Sequence, residues 1–123
     1  SLKNSGKIKM KIEMKNNQSP DINDEMIASI VSLAATGVNG VERISLRTTD
    51  EIMDKLYLTA TIKGVKIARN PEGLMIWVYL ITEPGVEIVK VSKAVQKKVK
   101  IAVESMAGFQ VASVNVRIEG SGI

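Results

Sequence analysis

The feature that most constrains the fold is a run of eight consecutive apolar or aromatic residues at positions 74–81. Turn-forming residues bound the run on both sides, at 70–73 and at 82–85. The run is far shorter than the roughly 20 apolar residues that a membrane-spanning helix needs. Its length and flanks are instead typical of a strand that is buried on both faces. We therefore predict that residues 74–81 form the central strand of a sheet.

Two longer segments, 23–36 and 87–106, have the period of an amphipathic helix. Asn23 is a good N-cap for the first, and Gly37 and Gly108 suit the C-terminal ends of the two helices. The predicted buried arc of the first helix comprises Met26, Ile27, Ile30, Val31, Leu33 and Ala34. The predicted buried stripe of the second comprises Ile88, Val91, Val95, Val99, Ala102, Val103 and Met106.

Alternation of apolar and polar residues, the period of a strand with one buried face, recurs along the rest of the chain. It predicts strands at 8–14, 41–47, 56–61, 65–68 and 112–118, and a capping-box spacing adds a short helix at 48–55. This order of elements predicts an α+β fold, a two-layer sandwich in which a mainly antiparallel or mixed sheet carries two long helices on one face. No linker divides the chain, so residues 1–123 are predicted to form one domain, with 1–6 disordered or foreign to the native chain.

The residue types that are missing narrow the function. The chain has no cysteine and no histidine, which excludes disulfides, thiolate metal ligands and the usual general base. No nucleotide-binding glycine motif or nucleophile elbow occurs, and no two of the 13 carboxylates are placed by sequence as a general acid and base. We therefore expect no catalytic residues, no metal site and no cofactor, and a protein that binds a partner instead of an enzyme.

The second predicted helix carries a line of lysines. At about 100° per residue, Lys90, Lys93, Lys97 and Lys100 fall opposite the buried stripe, and Ile101 points outward beside them. Like charges three or four residues apart destabilise a helix by a few tenths of a kcal/mol per pair. These five residues are therefore our candidate partner-binding site. The alternative is a face that only keeps the helix soluble.

The central strand offers a second candidate surface. Both of its faces are apolar, yet helices cover only one side of a two-layer fold. The other side carries Met75, Trp77, Tyr79 and Ile81. Either the 48–62 segment covers these four side chains, or they form an apolar patch for self-association into a homo-oligomer.

Several short motifs follow one another in a recognisable order. They are Ile27-Ala28-Ser29-Ile30, Gly40-Val41, Lys63-Gly64-Val65, Gly85-Val86-Glu87-Ile88, and the stretch 103–111 that leads into Val114-Asn115-Val116. In this order they resemble the alkaline shock protein family of bacterial general stress proteins, over most of residues 22–120. The resemblance implies a non-enzymatic cytoplasmic protein, associated with cell-envelope stress, that lies near the inner membrane face through a membrane-anchored protein partner.

These sequence features are compatible with two functions. The first is an interaction or scaffold protein of the alkaline shock type. The alternative is a small basic nucleic-acid-binding domain that uses the lysine-rich strand at 8–14 and the lysine helix. Residues 37–40 also match the GxxG loop of KH domains, but a strand is predicted after them and not the helix that such a loop requires. We expect a protein partner in preference to nucleic acid, and no membrane-spanning segment.

Overall fold

The computed structural model describes residues 22–46 and 58–121. The helices are α1 (Ile22–Thr36) and α2 (Ile88–Ala102), and the strands are β1 (Val41–Ile44), β2 (Leu58–Ile62), β3 (Val65–Asn70), β4 (Gly73–Thr82) and β5 (Val111–Ser121). The strand predicted at 8–14, the short helix at 48–55 and the disorder predicted for 1–6 lie outside the described residues. Both long helices and the central strand are confirmed, whereas the strand that begins at Val41 ends at Ile44, earlier than predicted.

The sheet is mixed and is organised around β4. On one edge β5 runs parallel to β4 along almost its whole length. The other edge is shared, because β3 pairs antiparallel with β4 from Gly73 to Val78 and β1 pairs antiparallel with it from Leu80 to Thr82. β2 pairs antiparallel with β3 and extends the sheet on that side. β1 and β3 therefore meet end to end along one edge of β4.

Gly64 occupies the point where β1 and β3 meet. Its carbonyl accepts a hydrogen bond from the Tyr79 N–H at 3.2 Å, and the Tyr79 carbonyl accepts one from the Ser45 N–H at 2.7 Å. Gly64 has a φ of 85°, and a Cβ added there would lie 2.5 Å from the Ser45 carbonyl oxygen. Because a side chain has neither the backbone conformation nor the space it needs, glycine is required at this junction.

Both helices pack on the same face of the sheet. The β4 side chains on that face, Ile76, Val78 and Leu80, are fully buried. They share one hydrophobic core with residues of both helices, including Ile27, Val31, Val95 and Val99. Each such side chain stabilises the fold by about 1.5–3 kcal/mol relative to an exposed position. The predicted α+β fold, with two long helices on one face of a mixed sheet, is confirmed.

The buried arcs predicted for the helices are correct at their centres and wrong at their margins. Leu33 is 69% exposed, because it lies about 200° around α1 from the buried Val31. Met26 is exposed as well. Ile88, the first residue of α2, and Met106, in the π-helical turn that follows it (Val103–Ala107), are also exposed. They lie at the two ends of the helical segment, where neighbours are present on one side only.

The C-terminal end of α2 leads directly into β5. A π-helical turn (Val103–Ala107) follows the helix, and Gly108 then adopts the left-handed conformation with a φ of 77°. Glu104 is half-buried, and its Oε2 accepts a hydrogen bond from the Val111 N–H at 3.0 Å. This contact holds the start of β5 against the end of the helix.

An ion pair fastens the other helix to the same end of the molecule. Arg69 Nη1 lies 3.0 Å from Oδ1 of Asp24, a residue in the first turn of α1 that is 4% exposed. The Arg69 guanidinium also lies 5.8 Å from the centroid of the Phe109 ring. The N-terminus of α1 is therefore held next to the segment that follows α2.

Candidate functional site

The outward direction of the lysine line is fixed by valines on the other side of α2. Val91, Val95 and Val99 recur every fourth residue and are buried against the sheet and α1. On the opposite side Lys90, Lys93, Lys97 and Lys100 are all exposed, and Ile101 is 55% exposed. The structure thus brings the five predicted partner-binding residues onto one surface, which we call the lysine face. Their role in binding stays a prediction.

None of the lysines of the lysine face forms an ion pair with a carboxylate in the part of the chain that the structure describes. The ion pairs found there are Arg43 with Glu42 and Arg69 with Asp24, and neither includes a lysine of this face. Glu104 is in helical register with the lysines, but its carboxylate accepts the Val111 N–H instead. The four ammonium groups therefore remain available to a negatively charged group from outside.

A fifth lysine of α2 has a different environment. Lys98 Nζ lies 3.5 Å from the position that a Cβ on Gly37 would occupy, and so it approaches the C-terminal end of α1. The carbonyl groups at a helix C-terminus carry a partial negative charge, and α1 has no basic residue in its last turn. Lys98 supplies that charge from the neighbouring helix.

A groove of about 790 Å³ separates the turn at 37–40 from residues 90–98 of α2. Lys90, Val91, Ala94 and Lys98 line it on the helix side, and Glu83 and Glu87 add two carboxylates. The turn at 37–40 is followed by β1 and not by a helix. The GxxG-like residues thus join a helix to a strand, as predicted, and the groove carries both signs of charge.

An exposed apolar residue of α1 lies near the lysine face and was missed from the sequence. Gly37, at the C-terminal end of α1, lies next to Lys98 of α2. At the other end, Arg69 contacts both Asp24, in the first turn of α1, and Phe109, which follows α2. The two helices therefore run antiparallel. Leu33 and Ile101 each lie about one helical turn from the contact between Gly37 and Lys98, in the same direction. On a helical wheel, Leu33 falls on the polar outer face with Ser29 and Thr36. This position could have identified Leu33 as an exposed residue from the sequence.

The outer face of β4, away from the helices, is not an open apolar patch. Tyr79 is 1% exposed, and Met75, Trp77 and Ile81 are half-buried. Lys66 is 4% exposed, and its Nζ lies 5.3 Å from the centroid of the Tyr79 ring. Residues 58–62 form the edge strand β2 and do not lie over this face, and 48–57 lie outside the described residues. Self-association through this face stays a prediction.

Residues 22–46 and 58–121 contain neither a metal-binding cluster nor a membrane-spanning helix. These residues contain no group of three or more acidic side chains placed to hold a metal ion. None of their helices is both long enough and apolar enough to cross a membrane.

Comparison with known proteins identifies the family. Residues 12–122 match the alkaline shock protein 23 family, which is described as having a cell envelope-related function. The chain belongs to this family. The resemblance that the motifs indicated is therefore confirmed, and a cell envelope-related function is the level of detail that the family supports.

Similar proteins occur in Streptococcus pyogenes and Bacillus subtilis. The uncharacterized protein Spy1614 of S. pyogenes is 31% identical over 101 residues, which cover 80% of this chain and 84% of that protein. YqhY of B. subtilis is 27% identical over 97% of this chain and 88% of its own length. YloU of B. subtilis is 30% identical over 81% of this chain and 85% of its own. No solved structure matches the chain.

Proposed function

We propose that the protein is a non-enzymatic interaction protein of the bacterial cell envelope stress response, which acts through protein–protein contacts near the inner membrane face. The observation that carries the proposal is the family match over residues 12–122, together with its cell envelope-related description. The protein reaches the membrane face through a membrane-anchored protein partner. Copies of the chain also associate with one another at the envelope.

The arrangement of charged side chains supports binding over catalysis. The two buried charged side chains in the described residues have structural surroundings, since Asp24 pairs with Arg69 and Lys66 lies over the Tyr79 ring. The exposed lysines of α2 instead point away from the core and have no ion-pair partner among the described residues. Charge placed outside the core in this way contributes to recognition and association rate more than to stability.

Affinity capture tests this proposal. The tagged chain is mixed with a detergent-solubilised membrane fraction of B. subtilis, an organism that contains the similar proteins YqhY and YloU. We expect one or a few envelope proteins to be enriched over a control with the tag on an unrelated protein of similar size and charge. A capture in which no envelope protein exceeds that control contradicts the proposal.

A second candidate function, nucleic-acid binding, is favoured by the unpaired lysines of α2. Binding through phosphate contacts is steeply salt-dependent and is strongest at low salt. We would expect a fluorescently labelled RNA or DNA oligonucleotide to bind at about 50 mM salt and to dissociate as salt is raised. Absence of binding at low salt excludes this candidate and leaves the envelope function unaffected.

A further inference from the structure

We infer that the outward surface of the two helices is a docking site for an acidic amphipathic helix of a protein partner. The surface consists of the basic line Lys90, Lys93, Lys97 and Lys100 and the apolar pair Leu33 and Ile101. The inference rests on the proposed function, because it names the kind of segment by which a protein partner is recognised.

The basic line has the repeat of a helix. Its lysines are spaced three, four and three residues apart, so about one ammonium group follows another every 5 Å along roughly 15 Å of axis. A second helix laid alongside α2 presents side chains at the same rise per turn. Carboxylates spaced three and four residues apart on that helix therefore meet each lysine in turn.

The apolar pair lies beside the basic line. Ile101 is 55% exposed and Leu33 of α1 is 69% exposed. Helical geometry, referred to the contact between Gly37 and Lys98, places Ile101 on the flank of α2 toward α1 and Leu33 at about the same level. Two exposed branched side chains at this level form an apolar strip next to the lysines. A partner that covers both needs apolar side chains on one flank and carboxylates on the other, which is the pattern of an acidic amphipathic helix.

The same surface fits other anionic partners less well. A membrane surface would attract the lysines, but Val91, Val95 and Val99 of α2 are buried in the core. The lysine line occupies the outward side, so the helix has no broad apolar face to insert into lipid. A nucleic acid would contact the lysines and leave Leu33 and Ile101 uncovered. In addition, the three aromatic side chains among the described residues, Trp77, Tyr79 and Phe109, are buried or half-buried and offer no stacking platform.

Individual surface ion pairs are weak, at about 0–1 kcal/mol each. Four of them and the small apolar strip predict an association that is moderate in affinity and sensitive to salt. This expectation sets the conditions of the test, which is carried out at low ionic strength and repeated at high ionic strength.

A designed peptide probe tests the inference directly. The probe is a helical peptide of about 20 residues, long enough to be stable as a helix, with glutamates spaced three, four and three apart and leucines along one flank. We expect it to bind in a fluorescence anisotropy titration. The matched peptide with glutamine at each glutamate position should bind at least tenfold more weakly.

Variants of the protein locate the binding surface. Lys97→Glu reverses one charge in the basic line. Arg43→Glu makes the same change in net charge at an exposed residue that lines a groove with Ile81, on the other side of the sheet. We expect Lys97→Glu to weaken peptide binding about tenfold or more, Leu33→Ser to weaken it several-fold, and Arg43→Glu to leave it within twofold. The circular dichroism spectrum and the unfolding midpoint of each variant establish that it is folded.

Several results would overturn the inference. Equal losses of peptide affinity with Lys97→Glu and Arg43→Glu would mean that only net charge matters. Equal binding of the two peptides would mean that the carboxylates are irrelevant. Binding of phosphatidylglycerol vesicles or of a labelled RNA that depends on Lys97, without binding of the peptide, would assign the surface to lipid or to nucleic acid.

The capture experiment separates this inference from the proposed function. If Lys93→Glu/Lys97→Glu captures the same envelope proteins as the unmodified chain, the docking surface is wrong and the envelope function stands. If the unmodified chain captures none, the envelope function fails, whatever the peptide does.

Discussion

The lysine face of α2 and the outer face of β4 lie on opposite sides of the molecule and differ in how strongly they are tied to folding. On α2, the buried Val91, Val95 and Val99 hold the helix to the core, and the lysines on the other side are exposed. On β4, even the side away from the helices contains a Tyr79 that is 1% exposed and packs beneath the buried Lys66. Substitutions on the lysine face are thus expected to change binding first, and substitutions on the outer face of β4 to change stability first.

The period of the side chains explains this difference. A helix of period 3.6 can bury one stripe and leave the opposite stripe entirely to the solvent. A strand alternates its side chains between two faces, and a strand that is apolar at every position needs cover on both. The free surface of this protein is therefore on a helix, and its apolar central strand is used for stability on both sides.

The largest expected effect comes from removing the ring on the outer face of β4. Tyr79→Ala should lower the free energy of unfolding by about 3–5 kcal/mol, the range for a fully buried aromatic side chain. Urea unfolding followed by circular dichroism measures this change. Tyr79→Phe is the matched control, because it keeps the ring, and it should lose less than about 1.5 kcal/mol. A loss near zero for Tyr79→Ala would mean that the outer face contributes as little to stability as the lysine face does.

Gly64→Ala should destabilise the protein by about 2–4 kcal/mol, because overpacking adds to the strain of a positive φ. The added Cβ would meet the Ser45 carbonyl oxygen and Ile44 Cγ2 at the junction of β1 and β3. Gly85→Ala is the control, since Gly85 has a φ of 82° but no atom within 4 Å of the added Cβ. Gly85→Ala should lower the free energy of unfolding by about 1–2 kcal/mol, from backbone strain alone. Equal losses of unfolding free energy in the two variants would mean that close packing at this junction is not the reason why glycine is needed at position 64.

Self-association through the outer face of β4 is tested at its half-buried tryptophan. If copies of the chain meet there, Trp77→Asp should lower the mass measured by light scattering, because a carboxylate in an apolar interface is not compensated. Circular dichroism must show that the variant is folded. An unchanged mass in a folded variant would mean that the outer face of β4 contributes to stability and not to self-association. The contrast with the lysine face would then be sharper.

Much of the fold follows from local patterns in the sequence. The apolar run at 74–81 and the turns beside it give β4 almost to the residue, and the valine spacing gives α2. The topology of the sheet does not follow in this way. That β1 and β3 share one edge of β4 depends on contacts between residues far apart in the chain, such as Gly64 with Ser45, and no local pattern records them.

The candidate site was predictable only in part, for a related reason. A helical wheel requires only the sequence of α2. It correctly predicted that all four lysines lie on the exposed side of the helix. Leu33 belongs to another helix, and its place beside Ile101 depends on the antiparallel packing of α1 against α2. The alternating pattern of its strand predicts that Lys66 is exposed. In the structure it is buried over the Tyr79 ring. Its environment is set by the neighbouring strand, not by its own.

The smallest expected effect on stability is on the lysine face itself. Lys93→Ala/Lys97→Ala should change the free energy of unfolding by no more than about 0.5 kcal/mol, as is usual for exposed positions. Its sign should be stabilising at low salt, because like charges three and four residues apart repel one another and alanine is the best helix former. The repulsive part should fade at high salt, where exposed charges are screened. Urea unfolding at two salt concentrations measures both quantities. A loss of more than 1.5 kcal/mol would show that these lysines hold the fold together, and the lysine face could then no longer be treated as a surface reserved for a partner.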